Sequence, residues 1–295
     1  MMQTDSAVFA DHASQHRVAI VENSQIAEAT FRLRFRCPAI AERVTPGQFL
    51  MLRLANWSDP LIGRPLAMYD THTGKDNRPE FVDVVYLVGG KMTQRLAQFQ
   101  VGEEIDLWGP LGNGFPAQLT DHLIMVAGGI GQTPFLALAK EHLGVQAFGL
   151  APRQVPSVKR VTLCYGARSK NLLAGVADFQ AAGVEVQIST DDGSAGQPGL
   201  VTDLLETILD QDAAEQPETK SRIVCCGPEP MMQAVAGIAA RRNVPAQVSL
   251  ETPMACGIGI CFTCVAQIKD DQGESDYRRT CVEGPVFDAD RIEWD

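Results

Sequence analysis

The sequence predicts three successive units: an antiparallel β-barrel, an α/β domain, and a small C-terminal domain rich in cysteine. The first third contains short β-rich runs separated by Gly and Pro, a pattern typical of an antiparallel barrel. From about residue 122, apolar strands are followed by glycine loops and helices, which indicates an α/β sheet. Four of the eight cysteines lie in the last 40 residues. We place the units at residues 1–118, 119–245 and 246–295.

The length and charge of the chain exclude several classes of protein. Its 295 residues are about twice the roughly 150 residues of a typical domain, so it is not one small module. The 25 Lys and Arg against 36 Asp and Glu give a net charge of −11, which repels a nucleic-acid backbone. No apolar run is long enough for a membrane helix, and residues 1–17 lack the pattern of a secretory signal. We therefore expect no membrane span, no nucleic-acid partner and a cytoplasmic protein.

The first unit is predicted from alternating and β-branched runs. In residues 30–37, Phe31, Leu33 and Phe35 alternate with three arginines, as in a strand with one face on a core. Further strands are predicted at 48–54, 81–88 and 104–108, each bounded by Gly or Pro. Short strands at this spacing predict a barrel.

The second unit is predicted from apolar strands at 123–127, 160–165, 184–189 and 222–226. Helices are expected at 134–143, 201–209 and 229–241, the first with Thr133 as its N-cap and Pro134 at its first position. The segments 144–159 and 211–221 are predicted to be surface connections.

The cysteines of the third unit carry the most specific signal. The ligand spacing is C-x4-C-x2-C-x16-C, and the residues are Cys256, Cys261, Cys264 and Cys281. The first three have the spacing of a plant-type 2Fe–2S ferredoxin, and the glycines between them let backbone N–H groups approach the cluster. The alternative is a structural zinc, which usually has two C-x2-C pairs where this tail has one. Cys37, Cys164 and Cys225 are interpreted as small buried apolar residues.

Two glycine loops follow strands of the second unit. The first contains Gly128, Gly129, Gly131 and Thr133, and the second is Cys226-Gly227-Pro228. Backbone N–H groups at the carboxyl edge of a sheet favour a phosphate or a nucleotide. The first loop is not G-x-G-x-x-G, so a loop that merely packs a helix on a strand is the alternative.

Two further segments suggest ligand contacts. Arg64, followed by Pro65, Leu66 and Ala67, can pair with a pyrophosphate, although a surface arginine before a turn explains it equally. Asp191 and Asp192 follow the strand at 184–189, where carboxylates would repel the 2′-phosphate of NADP. If the domain binds a dinucleotide, these residues predict NAD; the alternative is an acidic turn. The five histidines have no metal-ligand spacing.

In chain order these motifs resemble the ferredoxin-NADP reductase superfamily. Within it, the chain is most similar to the family of iron–sulfur electron-transfer subunits of NAD-dependent dihydroorotate dehydrogenases, from about residue 17 to 294. The resemblance implies an FAD site formed by Arg64–Ala67 and completed by two later segments. These segments supply Val85, Tyr86, Leu87, Met92 and Thr93. The chain departs from the family pattern at Ala67, often Ser, at Leu87, commonly Arg, and at Met92, commonly Gly.

The resemblance implies a relay rather than a chain with its own catalytic side chains. FAD, a 2Fe–2S cluster and NAD would carry the chemistry, and the protein would set their order. The implied partner is an FMN-containing dihydroorotate dehydrogenase subunit, in a heterotetramer that serves pyrimidine biosynthesis. The alternatives are a reductase subunit of a hydrogenase, a sulfite reductase or a ferredoxin:NAD(P) complex, and a zinc-stabilised regulatory subunit that binds nucleotides.

Overall fold

The computed structural model describes residues 12–150, 153–215 and 217–294. The expectation that the chain has no secretory signal depends on residues 1–17. Of these, residues 1–11 lie outside the described residues. In the described chain, no helix is both long and apolar enough to span a membrane.

The first unit is a closed antiparallel barrel, as predicted, and its six strands have the order β1-β2-β5-β4-β3-β6. The strands are β1 (Ser14–Ala27), β2 (Thr30–Arg36), β3 (Phe49–Leu54), β4 (Arg64–Thr73), β5 (Pro79–Leu87) and β6 (Glu104–Leu111). Two short helices, α1 (Pro38–Ala41) and α2 (Lys91–Leu96), connect them. In β2, Leu33 and Phe35 are fully buried, whereas Arg34 forms an ion pair with Asp83. The alternation in the sequence therefore sets the inner face of the barrel.

The second unit is a seven-stranded sheet in the order β10-β9-β8-β7-β11-β12-β15. Its strands are β7 (His122–Gly128), β8 (Arg160–Ala167), β9 (Glu185–Thr190), β10 (Gln197–Pro198), β11 (Ser221–Cys226), β12 (Ala246–Ser249) and β15 (Val286–Asp288). The helices are α3 (Phe135–His142), α4 (Val176–Ala181), α5 (Val201–Glu215) and α6 (Glu229–Arg242). The central strand β7 is apolar from Leu123 to Ala127 because helices cover both faces of a parallel sheet.

Three details of this unit differ from the sequence-based expectation. Residues 129–132 form a 3₁₀ turn, so Pro134 rather than Thr133 caps α3. Helix α5 continues to Glu215, into the predicted connection at 211–221. The sheet also continues past the predicted boundary at residue 246, because β12 pairs with β11 and β15 pairs with β12.

The remaining tail folds as the hairpin β13 (Val265–Lys269) and β14 (Ser275–Arg279), preceded by the cysteine loop. An apolar cluster joins the tail to the outside of the barrel; it contains Phe49, Met51, Leu111, Cys264 and Cys281. The three units are therefore packed against one another.

The barrel and the α/β unit share buried contacts. The hydroxyl of Tyr69 in β4 donates to Asp178 in α4 at 2.8 Å. Gly175 makes this approach possible, since a Cβ there would lie 2.3 Å from the Tyr69 hydroxyl. These contacts fix the position of the barrel relative to the α/β unit on the two sides of the cleft between them.

Candidate cofactor sites

The two glycine loops lie at the point where the strand order of the sheet reverses. Strand β7 is followed in sequence by β8 on one side and later by β11 on its other side. Gly128 ends β7 and Gly227 follows β11, so both loops lie at the carboxyl edge of neighbouring strands. A crevice of this kind binds ligands in open α/β sheets.

Gly131 is required where the two loops meet. A Cβ at this position would lie 2.2 Å from the carbonyl oxygen of Cys226 and 2.8 Å from the Cα of Gly227. These are backbone atoms, which cannot rotate away. The glycine therefore serves close packing of the loops, and its own atoms line neither cavity described below.

The first cavity, here called the sheet-edge cavity, lies above this crevice and has a volume of about 610 Å³. The predicted residues that line it are Leu87, Gly128, Gly129, Asp191, Gly227 and Pro228. Sequence reasoning missed several others, including Arg168, Ser189, Thr202, Met231 and Glu251. The sequence signal for Arg168 is its position directly after the end of the apolar strand β8.

The polar groups of the sheet-edge cavity suit a dinucleotide. The hydroxyl oxygen of Ser189 is buried and has no hydrogen-bond partner within the described chain. A ligand hydroxyl or phosphate would satisfy it. Arg168 supplies a cation for a pyrophosphate. Asp192 does not line the cavity, and its carboxylate accepts hydrogen bonds from the backbone N–H and the hydroxyl of Ser194.

The second cavity, here called the barrel cavity, lies between the barrel and the α/β unit and has a volume of about 410 Å³. The predicted residues that line it are Pro65, Leu66, Ala67, Val85, Tyr86, Leu87, Thr133 and Cys226. The segment after β12 closes it with residues that sequence reasoning missed, Leu250 to Met254. Its walls are mostly apolar, as a planar flavin ring requires.

Three predicted flavin residues lie outside the barrel cavity. Arg64 is exposed and donates to the carbonyl oxygens of Ile62 and Gly63 at the start of β4. Met92 is buried in the barrel core. The Thr93 hydroxyl accepts hydrogen bonds from the backbone of Gly89 and Gly90. In this structure Thr93 thus shapes the loop before α2, and none of the three reaches the flavin cavity.

The two cavities adjoin each other. Leu87, Ile130 and Glu251 line both, so ligands bound in the two cavities would be neighbours. Glu251 follows β12, a strand that sequence reasoning did not predict. The sequence offered no motif for it.

The four cysteines of the tail form two pairs. The side chain of Cys261 neighbours that of Cys256, and the side chain of Cys264 neighbours that of Cys281, while Cys256 also acts electrostatically on Cys281. Within the described chain, no three His, Cys, Asp or Glu side chains converge on a single metal position. A tetrahedral zinc would gather all four thiolates, whereas each iron of a 2Fe–2S cluster takes two. The spacing of the four cysteines along the chain favours two irons.

The surroundings favour the thiolate, the form that binds iron, at Cys261 and Cys264, whereas the neighbouring Cys264 raises the pKa of Cys281. The hydroxyl of Thr263 donates to the sulfur of Cys261 at 3.1 Å. This bond is the main reason that the pKa of Cys261 is lowered to about 6.

The cysteine loop lies directly on the barrel. Trp108 in β6 donates its indole N–H to the carbonyl oxygen of Cys256 at 2.9 Å. A Cβ at Gly257 would lie 2.5 Å from Met51 in β3. Phe49 and Met254 pack in the same apolar cluster as Cys264 and Cys281, and both also line the barrel cavity. One layer of side chains thus separates the barrel cavity from the cysteine pair.

Comparison with protein families matches all three units. An oxidoreductase FAD-binding domain matches residues 17–115, and an oxidoreductase NAD-binding domain matches 125–237. The iron–sulfur cluster binding domain of dihydroorotate dehydrogenase B matches 251–293. The barrel is therefore the FAD-binding domain, the sheet is the NAD-binding domain and the tail binds the cluster.

Whole-chain relatives and a solved structure agree with the domain matches. The chain is 35% identical over 281 residues to "Dihydroorotate dehydrogenase B (NAD(+)), electron transfer subunit" of Geobacillus thermodenitrificans, covering 94% of this chain and 98% of that one. The protein of the same name from Desulforamulus reducens is 33% identical, with 92% and 95% covered. A solved NADH-dependent reduced ferredoxin-NADP oxidoreductase is 28% identical with a TM-score of 0.75, covering 94% of this chain and 90% of that chain. The fold predicted from the sequence is confirmed, and the chain belongs to the family of electron transfer subunits of dihydroorotate dehydrogenase B.

Proposed function

We propose that this chain takes electrons from an FMN-containing dihydroorotate dehydrogenase subunit and delivers them to NAD, in the cytoplasm and in the service of pyrimidine biosynthesis. Bound FAD supplies the chemistry, since a flavin exchanges two electrons with a nicotinamide and single electrons with an iron–sulfur cluster. The side chains of this chain hold the groups in order.

The observation that carries this proposal is the adjacency of the three sites. Phe49 and Met254 lie between the cysteine pair and the barrel cavity. Leu87, Ile130 and Glu251 lie between the barrel cavity and the sheet-edge cavity. An order of cluster, flavin and nicotinamide follows from the positions of the residues that would hold them.

Each unit has a separable task. Cys256, Cys261, Cys264 and Cys281 would ligate the irons. The barrel-cavity segments 65–67 and 85–87 would position the flavin ring, and the apolar walls would exclude water from it. The sheet-edge cavity would bind NAD through the two glycine loops, Arg168 and Ser189.

A surface beside the cysteine loop supports contact with the partner. The loop exposes Ile258, Ile260 and Phe262, and the segment at 57–62 exposes three more apolar side chains, Trp57, Leu61 and Ile62. Both segments flank Trp108, since a Cβ at Gly63 would lie 2.8 Å from its ring and its N–H binds Cys256. We call these six residues the cluster-side patch. Grouped exposed apolar residues of this kind mark protein interfaces.

Reconstitution with the catalytic subunit tests the proposal. Alone, the chain should reduce artificial acceptors with NADH but leave dihydroorotate unoxidised. With an FMN-containing catalytic subunit added, dihydroorotate oxidation should become coupled to NAD reduction, in a heterotetramer whose mass is measurable. NAD reduction that is independent of this chain, or a native partner that is a hydrogenase or sulfite reductase subunit, would show that the dihydroorotate assignment is wrong.

The cluster-side patch gives a sharper form of this test. Ile260→Asp should weaken partner binding at least tenfold, because it places a charge in an apolar interface and 1.4 kcal/mol corresponds to about tenfold. Val101→Asp is the matched control. The two residues are equally exposed, Ile260 at 71% and Val101 at 69%, but Val101 lies on a turn outside the cluster-side patch. Equal binding of the two variants, measured by calorimetry, would place the interface elsewhere.

Asp191 should give a preference for NAD over NADP. Its carboxylate lines the sheet-edge cavity and would repel a 2′-phosphate. We expect Asp191→Asn to narrow the ratio of the NADH and NADPH specificity constants about tenfold, the effect of 1.4 kcal/mol. Asp192→Asn is the matched control, because Asp192 is held by Ser194 outside the cavity. Wild-type protein that uses both cofactors equally would show that Asp191 faces another part of the ligand.

A further inference from the structure

Glu251 lies where the two cofactor cavities meet. Among the described residues, it is the one charged side chain that lines both cavities. Arg168 and Asp191 line only the sheet-edge cavity, after β8 and β9. The charged residues of the sheet-edge cavity therefore lie in two places. Arg168 and Asp191 lie away from the barrel cavity, and Glu251 alone lies where the two cavities meet.

The Glu251 carboxylate has no counter-charge from the described protein. It makes no ion pair or hydrogen bond there, and burial alone raises its pKa. By its solvent accessibility, however, Glu251 is an exposed residue. A side chain that projects into a cleft has both properties, since protein surrounds it while the cleft leaves it open. An unpaired carboxylate in such a place favours a ligand that brings a positive charge.

The nicotinamide ring is the ligand group whose charge depends on its redox state. The oxidised ring is a cation and the reduced ring is neutral, while the rest of the dinucleotide is the same in both. We propose that Glu251 makes the protein discriminate between them, holding the oxidised ring more tightly than the reduced ring. The proposal deepens the function above and rests on it, because that function assigns the flavin and the nicotinamide to the two cavities.

In a chain that delivers electrons to NAD, this preference has a direct use. The substrate is the cationic form and the product is the neutral form. The attraction between Glu251 and the ring therefore acts on the substrate and is lost when the ring is reduced, which favours release of the product.

Equilibrium binding to the FAD-loaded chain tests the proposal without turnover. The two probes are NAD⁺ and 1,4,5,6-tetrahydro-NAD, a neutral-ring analogue that cannot donate hydride, both titrated by calorimetry. In Glu251→Gln, the ratio of the Kd for NAD⁺ to the Kd for the analogue should rise about tenfold, as expected for an interaction worth one pKa unit. Glu251→Ala, which removes the charge without adding an amide donor, should raise the ratio similarly.

Glu229→Gln is the matched control. Glu229 is exposed at the start of α6, and it lines neither cavity although its neighbours Pro228 and Pro230 line the first. This variant removes the same charge nearby and should leave the ratio unchanged. An unchanged ratio in both Glu251 variants, or an equal weakening of both probes, overturns the proposal and leaves the NAD site intact. If neither probe binds the wild-type chain, the assignment of NAD to this cavity fails instead, and the inference with it.

Discussion

Replacing Cys264 with Ser should remove or alter the iron–sulfur cluster and abolish electron transfer to or from the partner, while FAD stays bound. Cys264 is buried, is paired with Cys281, and packs against Phe49 and Met51 of the barrel. A serine oxygen is a poor substitute for a thiolate on iron. FAD should remain because the segments that line the barrel cavity belong to other strands. Iron and sulfide content, the electron paramagnetic resonance signal of the reduced protein, and FAD per chain measure these outcomes.

Cys37→Ser provides the control for this experiment. Cys37 is equally buried but lies in the barrel core, away from the tail. It should keep full iron and sulfide and change stability little, because Cys37 is the N-cap of α1, where a serine hydroxyl can accept from the backbone N–H of Ile40. Full iron and sulfide in Cys264→Ser, with an unchanged resonance signal, would show that Cys264 is not a ligand.

Gly131→Ala should disrupt the NAD site through one added methyl group. The new Cβ would lie 2.2 Å from the Cys226 carbonyl oxygen, so one of the two glycine loops must move. We expect a loss of stability of about 1–3 kcal/mol, as for other overpacked sites, and at least tenfold weaker NAD binding from the displaced loops. Thermal unfolding and NAD⁺ titration measure the two effects.

Gly237→Ala is the matched control in the same domain. Gly237 lies within α6, where a Cβ would meet only the Arg241 guanidinium at 3.6 Å. Alanine is the better helix former, so this change should leave NAD binding intact and raise stability by up to about 1 kcal/mol. If Gly131→Ala kept its NAD⁺ binding and stability as this control does, the close contact between Gly131 and Cys226 would not be needed for the NAD site.

The sequence predicted the three units because each has a local signature. The alternation around Leu33 and Phe35 marks a strand with one buried face, and the uninterrupted apolar run of β7 marks a strand covered on both faces. The cysteine spacing specifies a cluster rather than a fold, since ligand geometry restricts which gaps can close around two irons. The order of the units along the chain was therefore readable before any tertiary structure.

Some predicted site residues line the two cavities and others do not, and the difference depends on whether a strand or a turn sets the position of the side chain. Pro65 to Ala67, Val85 to Leu87, Gly128 and Gly227 follow or form strands, and the structure gathers them at the two cavities. The structure places Arg64, Met92 and Asp192 elsewhere, because side-chain direction depends on the local turn. Their roles in cofactor binding stay predictions.

The sequence by itself determined which cofactors this chain binds. Glycine loops, cysteine spacing and strand patterns are local features, so they can be read without knowledge of distant contacts. Only the tertiary structure decided how the sites adjoin. Strands β12 and β15 complete a sheet from a segment that reads as part of the tail, and this pairing carries Glu251 to the junction of the two cavities. The same folding brings Met254 and Phe49 between the cysteines and the barrel cavity. Phe49 and Met254 are about 200 positions apart in the sequence, and no local pattern encodes a contact at that separation.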